Sequence, residues 1–387
     1  MSLSIYTLIE SQVSNRVVIL GGGLAGLTAA ICLAKHGVAT LLIEKKNYPF
    51  HRVCGEYVSN EILPFLMGIG IDPSLYQCPS ITNFQLSSAN GKHHSTGLPL
   101  GGFGISRYLF DELLYNKARN LGVEFLHAEV EHLAFENDQH QIKLKGETQL
   151  TARTVIGAHG KRSKIDKQLN REFIQRISPY MGVKYHVKTD FCQNTVALHN
   201  FKGGYCGINA VEGGIFNICY LTRRESVKRA GSLEAMEAQV LKANPQLAQV
   251  WNNADFIFEK PLVINEVSFA TKGPVEDHIL MCGDAAGMIA PLCGNGMAMA
   301  IRSGIMLSKL LIEASHAGWS REHIERTYAQ RWNREFRKRL AIGRTIQKLF
   351  GHGHLSGLAV ALLKSQKLSH FIISKTHGQP LDTSTLP

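Results

Sequence analysis

Short apolar runs at residues 17–20 and 38–43 flank residues 24–35, whose apolar positions follow a helical rhythm. Such runs, bounded by glycine, are typical of strands buried on both faces, as in a parallel sheet. The pattern therefore predicts a strand–helix–strand unit at the start of the chain. Further on, residues 60–70 predict a helix with Ile62, Leu63, Leu66 and Met67 on one face. Residues 81–98 alternate as strand around an Asn90-Gly91 turn. Residues 105–121 predict an amphipathic helix capped by Ser106, its buried stripe formed by Phe110, Leu113, Leu114, Ala118 and Leu121. Residues 123–126, 130–135, 141–144 and 154–156 predict strands.

From Tyr180 to Leu221 the character changes. The stretch VKYHV and the glycine-punctuated FKGGYCGINAVEGGIFNICYL predict antiparallel sheet, a second layer distinct from the first. Residues 232–244 predict a helix, 263–270 and 278–282 strands, 296–317 a long helix, and 322–350 a mostly helical, basic segment. The fold class is α/β with an α+β second layer. A discontinuous first domain takes residues 1–175 and 265–330, with 60–104 partly in the second layer. Residues 176–264 make the antiparallel-sheet domain and 331–387 a basic helical C-terminal segment.

The glycines add chemistry. Gly21, Gly23 and Gly26 stand at G-x-G-x-x-G spacing between the first strand and helix, and Glu44 ends the second strand. Gly21 allows the turn, Gly23 lets backbone approach a pyrophosphate, and Gly26 lets the helix pack closely. Free N–H groups at the helix start, at Leu24 and Ala25, hold phosphate charge, and a carboxylate at Glu44 accepts hydrogen bonds from an adenosine ribose. This is a dinucleotide site.

Composition narrows the setting. The chain has 387 residues, 44% of them hydrophobic, and its 42 Lys and Arg against 31 Asp and Glu give a net charge of +11. That field suits an anionic cofactor, an acidic carrier protein or an anionic membrane surface. No basic run with interleaved aromatics and no zinc spacing points to nucleic acid. None of the eight cysteines pairs as C-x-x-C, which reads as reduced thiols in a cytoplasmic protein. The first fifteen residues have no signal-peptide pattern and no apolar run reaches spanning length. The histidine pairs at 93–94 and at 352 and 354 read as solvated loop residues, so no metal site is expected.

A second glycine segment, GDAAGMIAPLCGNG at 283–296, and a third, GAHGKRS at 157–163, complete a pattern. The chain resembles the FAD-dependent monooxygenase superfamily of para-hydroxybenzoate hydroxylase type, closest to its geranylgeranyl reductase and flavin-dependent halogenase branch. The resemblance implies a Rossmann-like FAD-binding domain of glutathione-reductase type, an antiparallel-sheet substrate domain and a helical C-terminal tail. It implies FAD contacts at Gly21, Gly23, Leu24, Ala25, Gly26, Glu44, Lys45, Arg52, Arg107, Val130, Gly160, Asp284, Pro291, Gly294, Asn295 and Gly296. Asp284 would hold the ribityl chain, and the Gly294-Asn295-Gly296 turn would lie against the flavin ring. His159 stands where the family has an aspartate tied to pyrophosphate and NAD(P)H handling; restoring Asp there is expected to speed flavin reduction.

The segment HRVCGEYVS resembles the C-G-E/G segment that reductases of this branch carry beside the flavin. Cys54, Glu56 and, by a looser match, Tyr205 are the candidate catalytic residues. The tryptophan of the halogenase pattern is missing around Tyr205, and the nearest lysine, Lys92, falls in a turn. The resemblance implies an FAD-dependent monooxygenase of a hydrophobic aromatic, polyketide or isoprenoid substrate, with NAD(P)H as electron donor. Its alternative is a flavin-dependent reductase of carbon–carbon double bonds. The basic C-terminal helices suggest docking on a membrane surface or an acidic carrier.

Overall fold

The computed structural model describes residues 16–347 and 377–382. Three sheets organise it. The first has six strands: β1 (Val17–Leu20), β2 (Thr40–Ile43), β6 (Glu124–Leu126), β10 (Thr154–Gly157), β17 (Val275–Glu276) and β18 (Ile279–Met281). Their order is β17-β18-β10-β1-β2-β6. All neighbours run parallel except β17, which pairs antiparallel with β18. β1 and β2 are buried along their whole length, which is why their sequence is apolar without alternation.

The second sheet has nine strands. They are β3 (Tyr57–Ser59), β4 (Ser80–Ser87), β5 (His93–Gly104), β11 (Tyr180–Lys188), β12 (Thr195–Phe201), β13 (Gly204–Ala210), β14 (Phe216–Arg223), β15 (Asp255–Phe256) and β16 (Leu262–Asn265). It is not purely antiparallel: β4 joins β12 in parallel register, Thr195 opposite Asn83. The hairpin around Asn90-Gly91 runs on to Gly104, so the glycines at 101–104 are strand and pair with β3. A small third sheet is made of β7 (Val130–Glu136), β8 (Gln139–Leu144) and β9 (Gln149–Ala152).

Four helices matter for the site: α1 (Leu24–Lys35), α2 (Arg107–Asn120), α3 (Gly296–Ala317) and α4 (Arg321–Gln347). Every residue of α1 from Leu24 to Leu33 is buried. The helix is covered on all sides, so it carries no polar face. α3 lies directly against it. A Cβ on Gly304 would come within 2.6 Å of the Ala25 carbonyl oxygen, so only glycine permits this approach. Ser308 Oγ donates to the Ala29 carbonyl at 3.2 Å across the same contact. In α2, Ser106 caps as expected, its Oγ accepting from Leu109 N–H at 3.1 Å.

Several expectations shift. Residues 60–70 form a 3-10 turn, Asn60–Ile62, and a short helix, Leu63–Gly68. The expected helix at 232–244 is a single α turn, Leu233–Met236, that widens into π geometry at Glu237–Leu241. The strand expected at 263–270 stops at Asn265, where the ladder with β11 ends. α4 runs unbroken through residue 331, from Arg321 to Gln347, and its single glycine, Gly343, packs closely on Ile289. The remainder of the expected basic tail, including the histidines at 352 and 354, lies outside the described residues apart from 377–382. That short piece is not helical; Leu381 N–H donates to the Glu61 carbonyl at 2.9 Å.

Candidate active site

The turn after β1 is built by backbone crowding on one side and openness on the other. Gly21 has φ +110°, and a Cβ there would sit 2.5 Å from the Ala158 carbonyl oxygen. At Gly23 such a Cβ would meet, among the described residues, Arg107 Nη2 at 3.9 Å. Gly23 caps α1 with no side-chain hydrogen bond, and the first turn carries no acid. The helix N-terminus is thus an uncapped positive end facing a guanidinium, the arrangement that receives a pyrophosphate.

Arg107 is fixed by Asp111, a buried carboxylate one turn on. Arg107 Nε donates to Asp111 Oδ1 at 2.6 Å and Nη2 to Oδ2 at 2.8 Å. Arg52 Nε donates to the same carboxylate at 2.9 Å, and its Nη2 reaches Glu44 Oε2 at 3.2 Å. Glu44 also accepts Gly22 N–H at 3.1 Å and Lys46 N–H at 3.1 Å. Arg52, Arg107 and Glu44 therefore come together around the glycine turn. Lys45 and Val130 stand further out: Lys45 is exposed, 3.8 Å from Glu129, and Val130 is half-buried at the start of β7.

The second glycine segment meets the first. A Cβ on Gly283 would lie 2.9 Å from Ala25 Cβ, and Gly283 N–H donates to Ser303 Oγ at 2.8 Å. Asp284 is held between them, and its carboxylate makes no hydrogen bond to a described residue. Burial pushes the carboxyl up, against the pull of Lys272, Arg107 and Lys161. Pro291 opens a 3-10 turn that ends on Gly294 at φ +65°, Asn295 follows, and α3 starts at Gly296 with no side-chain cap and no acid in its first turn. Two uncapped helix N-termini and an unsatisfied carboxylate thus converge. This donor set fits FAD: the end of α1 with Arg107 would hold the pyrophosphate, Glu44 the adenosine ribose, Asp284 the ribityl chain, and the end of α3 the electron-rich edge of the flavin.

Gly160 lies in the third segment at φ +82°. Beside it His159 Nε2 lies 3.2 Å from Asp166 Oδ1. Asp166 also accepts Ser163 N–H at 2.8 Å and Arg171 Nη1–H at 2.9 Å. Burial would raise the Asp166 carboxyl, but His159 and Arg171 outweigh it and hold it well below the ordinary range. A carboxylate is present in this loop after all, seven positions later than the family pattern has it.

The Cys54-Gly55-Glu56 loop is carried by the second sheet. Asn217 Nδ2 donates to the Cys54 and Gly55 carbonyls at 3.2 and 2.8 Å. Lys184 Nζ donates to the Arg52 carbonyl at 3.3 Å, and Asn209 Nδ2 to the Glu56 carbonyl at 3.3 Å. Glu56 is wholly buried with φ +55°. Its carboxylate accepts Arg107 N–H at 2.6 Å, pairs with Lys184 Nζ, and lies 2.7 Å from His186 Nε2. Burial would raise this carboxyl; Lys184 and His186 reverse the effect and hold it below the usual range. His186 stacks on Phe258 and meets His51 edge-on at 5.2 Å between ring centres. Burial, with Lys184 and His186, pushes His51 down to about 4.

Cys54 shares its surroundings with Arg107. Burial raises its thiol, with Arg107 pulling the other way. Among the described residues no atom lies within 4 Å of a Cβ on Gly55, so they leave space on that side of the loop.

Tyr205 lies against the turn that leads into Gly294. It is buried, its Oη accepts Leu292 N–H at 3.1 Å, and burial raises its phenol far above the ordinary value. It supports the turn before Gly294 and belongs to an apolar cluster with Leu86, Leu198, Leu221, Val267 and Met288. Lys92 is exposed in its hairpin, away from the loop. Lys184, His186, Asn209, Asn217 and Asp111 went unnoticed in the sequence. The one available signal was Lys184 and His186 at alternate positions of a strand otherwise buried and mostly apolar.

This fold and donor set define an FAD-binding protein. The profile of the FAD binding domain family matches residues 14–340, and the chain belongs to that family. It is an FAD-dependent oxidoreductase. It is 26% identical over 368 residues to digeranylgeranylglycerophospholipid reductase 2 of Methanopyrus kandleri, covering 89% of this chain and 90% of that one. It is 25% identical over 340 residues to the digeranylgeranylglycerophospholipid reductase of Methanosarcina acetivorans, covering 82% and 80%. Among solved structures it superposes on the flavin-dependent brominase Bmp2 with a TM-score of 0.75 at 16% identity, covering 95% and 94%. A geranylgeranyl bacteriochlorophyll reductase-like protein from Thermoplasma acidophilum superposes with a TM-score of 0.73 at 20% identity, covering 93% and 95%.

Proposed function

We propose that this protein reduces carbon–carbon double bonds in the isoprenoid chains of a lipid, with NAD(P)H as the source of electrons. The observation that carries the reading is the place of Cys54: a half-buried thiol, raised by burial, set in the Cys54-Gly55-Glu56 loop next to Arg107, with no described atom crowding the Cβ side of Gly55. Held by the glycine turn, Arg107, Glu44 and Asp284, FAD in its reduced form would supply the hydride for one carbon of the double bond. Cys54 would give its proton to the neighbouring carbon, and solvent would restore it to the thiolate. The Glu56–Lys184–His186 group holds the loop and the first residue of α2 in one register, so thiol and guanidinium stay together. The buried cluster of Leu86, Leu198 and Tyr205 is rimmed by the partly buried Phe84, Tyr180, Ile264 and Phe269, which would give a chain without polar groups a surface to lie on.

The double-bond reductases among the relatives support this choice over the hydroxylase reading. That alternative has no residue of its own here, whereas proton delivery to carbon has Cys54. Turnover in deuterium oxide tests it. Each saturated double bond should gain solvent deuterium at the protonated carbon, and Cys54→Ala should slow this incorporation together with saturation while retaining FAD. Oxygen incorporation in place of saturation would reject the reading.

A further inference from the structure

The outer face of α4 is used by none of this chemistry. Its inner face, Trp332, Phe336, Leu340 and Gly343, covers the flavin segment around Gly287 and Ile289. The exposed positions from Arg326 onwards are Arg326, Gln330, Asn333, Arg334, Arg337, Lys338, Ala341 and Thr345. Four are cations and none is an acid. Among the acids of α4, Glu335 pairs with Arg339 at 2.7 Å, Glu325 lies 2.9 Å from His278, and Glu322 is exposed one turn before Arg326. None of the four cations forms an ion pair among the described residues; Arg326 contacts only His323, at 3.4 Å. Four like charges kept unneutralised along one helix face repel one another unless an anionic surface meets them.

The helix also has a direction. It ends at Gln347, whose Oε1 lies 3.5 Å from Tyr205 Oη, and Ile346 packs on the apolar cluster that Tyr205 belongs to. The cationic face therefore leads to the partly buried apolar rim of that cluster, Phe84, Tyr180, Ile264 and Phe269.

We propose that α4 docks this protein on an anionic membrane through Arg326, Arg334, Arg337 and Lys338. The surface stands on α4 alone; its use, delivery of lipid chains to the apolar cluster, rests on the reading of a lipid substrate. A cation at an anionic bilayer strengthens binding about fivefold, and the effect fades within a Debye length.

Vesicle sedimentation with the full-length, FAD-loaded protein tests the surface independently of catalysis, because saturated phosphatidylglycerol in phosphatidylcholine contains no isoprenoid chain. The wild type should sediment with anionic vesicles at low salt, much less at high salt, and not with neutral ones. R334E/R337E/K338E should lose binding by about a hundredfold or more, while K188E/K202E/K228E, with the same net charge but changes elsewhere, should retain most of it. If the reversed variant misfolds, R334Q/R337Q/K338Q makes the same comparison. Absence of salt-sensitive binding by the wild type, or equal loss in both charge-reversed variants, would overturn the proposal. Loss of vesicle binding with saturation of a detergent-dispersed lipid intact would leave the reductase reading standing.

Discussion

Glu56 and Lys184 form an ion pair in which neither side chain has any exposed surface. Removing one partner from such a pair strands a buried charge, at a cost of about 3–5 kcal/mol, whereas replacing both by neutral groups costs far less. Lys184→Met should therefore destabilise the protein more than Glu56→Gln combined with Lys184→Met. A double-mutant cycle by urea unfolding measures this, and additive effects would show the two residues to be uncoupled.

Cys54→Ser and Cys54→Ala should leave FAD content and thermal stability near wild type and reduce double-bond saturation by about 10²–10⁴-fold, the usual range for a lost general acid. Steady-state assays with FAD absorbance as the control for folding check both.

The glycine turn makes a sharper distinction. Gly21→Ala places a Cβ on the Ala158 carbonyl at a positive φ and should yield little folded protein. Gly23→Ala meets no backbone, so it should fold normally and bind FAD more weakly, its methyl intruding where the cofactor's phosphates approach Arg107. Asp284→Ala should also weaken FAD binding, by roughly 1.5–3 kcal/mol for a charge-assisted hydrogen bond. Fluorescence titration of the apoprotein reports both affinities.

His159→Asp no longer promises faster flavin reduction. It would set a second carboxylate against Asp166, whose charge His159 and Arg171 now stabilise. Lower stability and unchanged or slower reduction by NADPH are expected, measured by stopped flow. Faster reduction would restore the original expectation.

Three histidines should make the fold acid-labile. Burial pushes His51 and His140 down to about 4 and His199 to about 3. The unfolded chain binds these protons near pH 6.5 and the folded one only near those lower values. Their contribution is therefore complete above pH 6.5 and lost as pH falls towards 4 and below. The urea midpoint should decline across that window, and His199→Gln should flatten the decline.

The local features were legible and the distant ones were not. A strand, a glycine turn and a helix are neighbours in sequence, so β1, α1 and Glu44 could be read directly, and Ser106 announced its helix by capping chemistry. The partners of Glu56 lie 128 and 130 residues away, where spacing carries no information. Asn209 and Asn217 look like ordinary strand polars until the sheet presents them to the Cys54 loop. The parallel pairing of β4 with β12 depends on a long-range register that alternation does not specify. Tyr205 was placed by motif position, but its burial follows from α4 and the Leu292 turn closing over it.

Anaerobic single turnover tests the central claim most directly. FAD-loaded protein is photoreduced under argon and mixed with a lipid bearing unsaturated isoprenoid chains. The account predicts that flavin absorbance returns without oxygen and that one double bond is saturated for each flavin reoxidised. A flavin that stays reduced until oxygen is admitted, followed by a hydroxylated product, would contradict it.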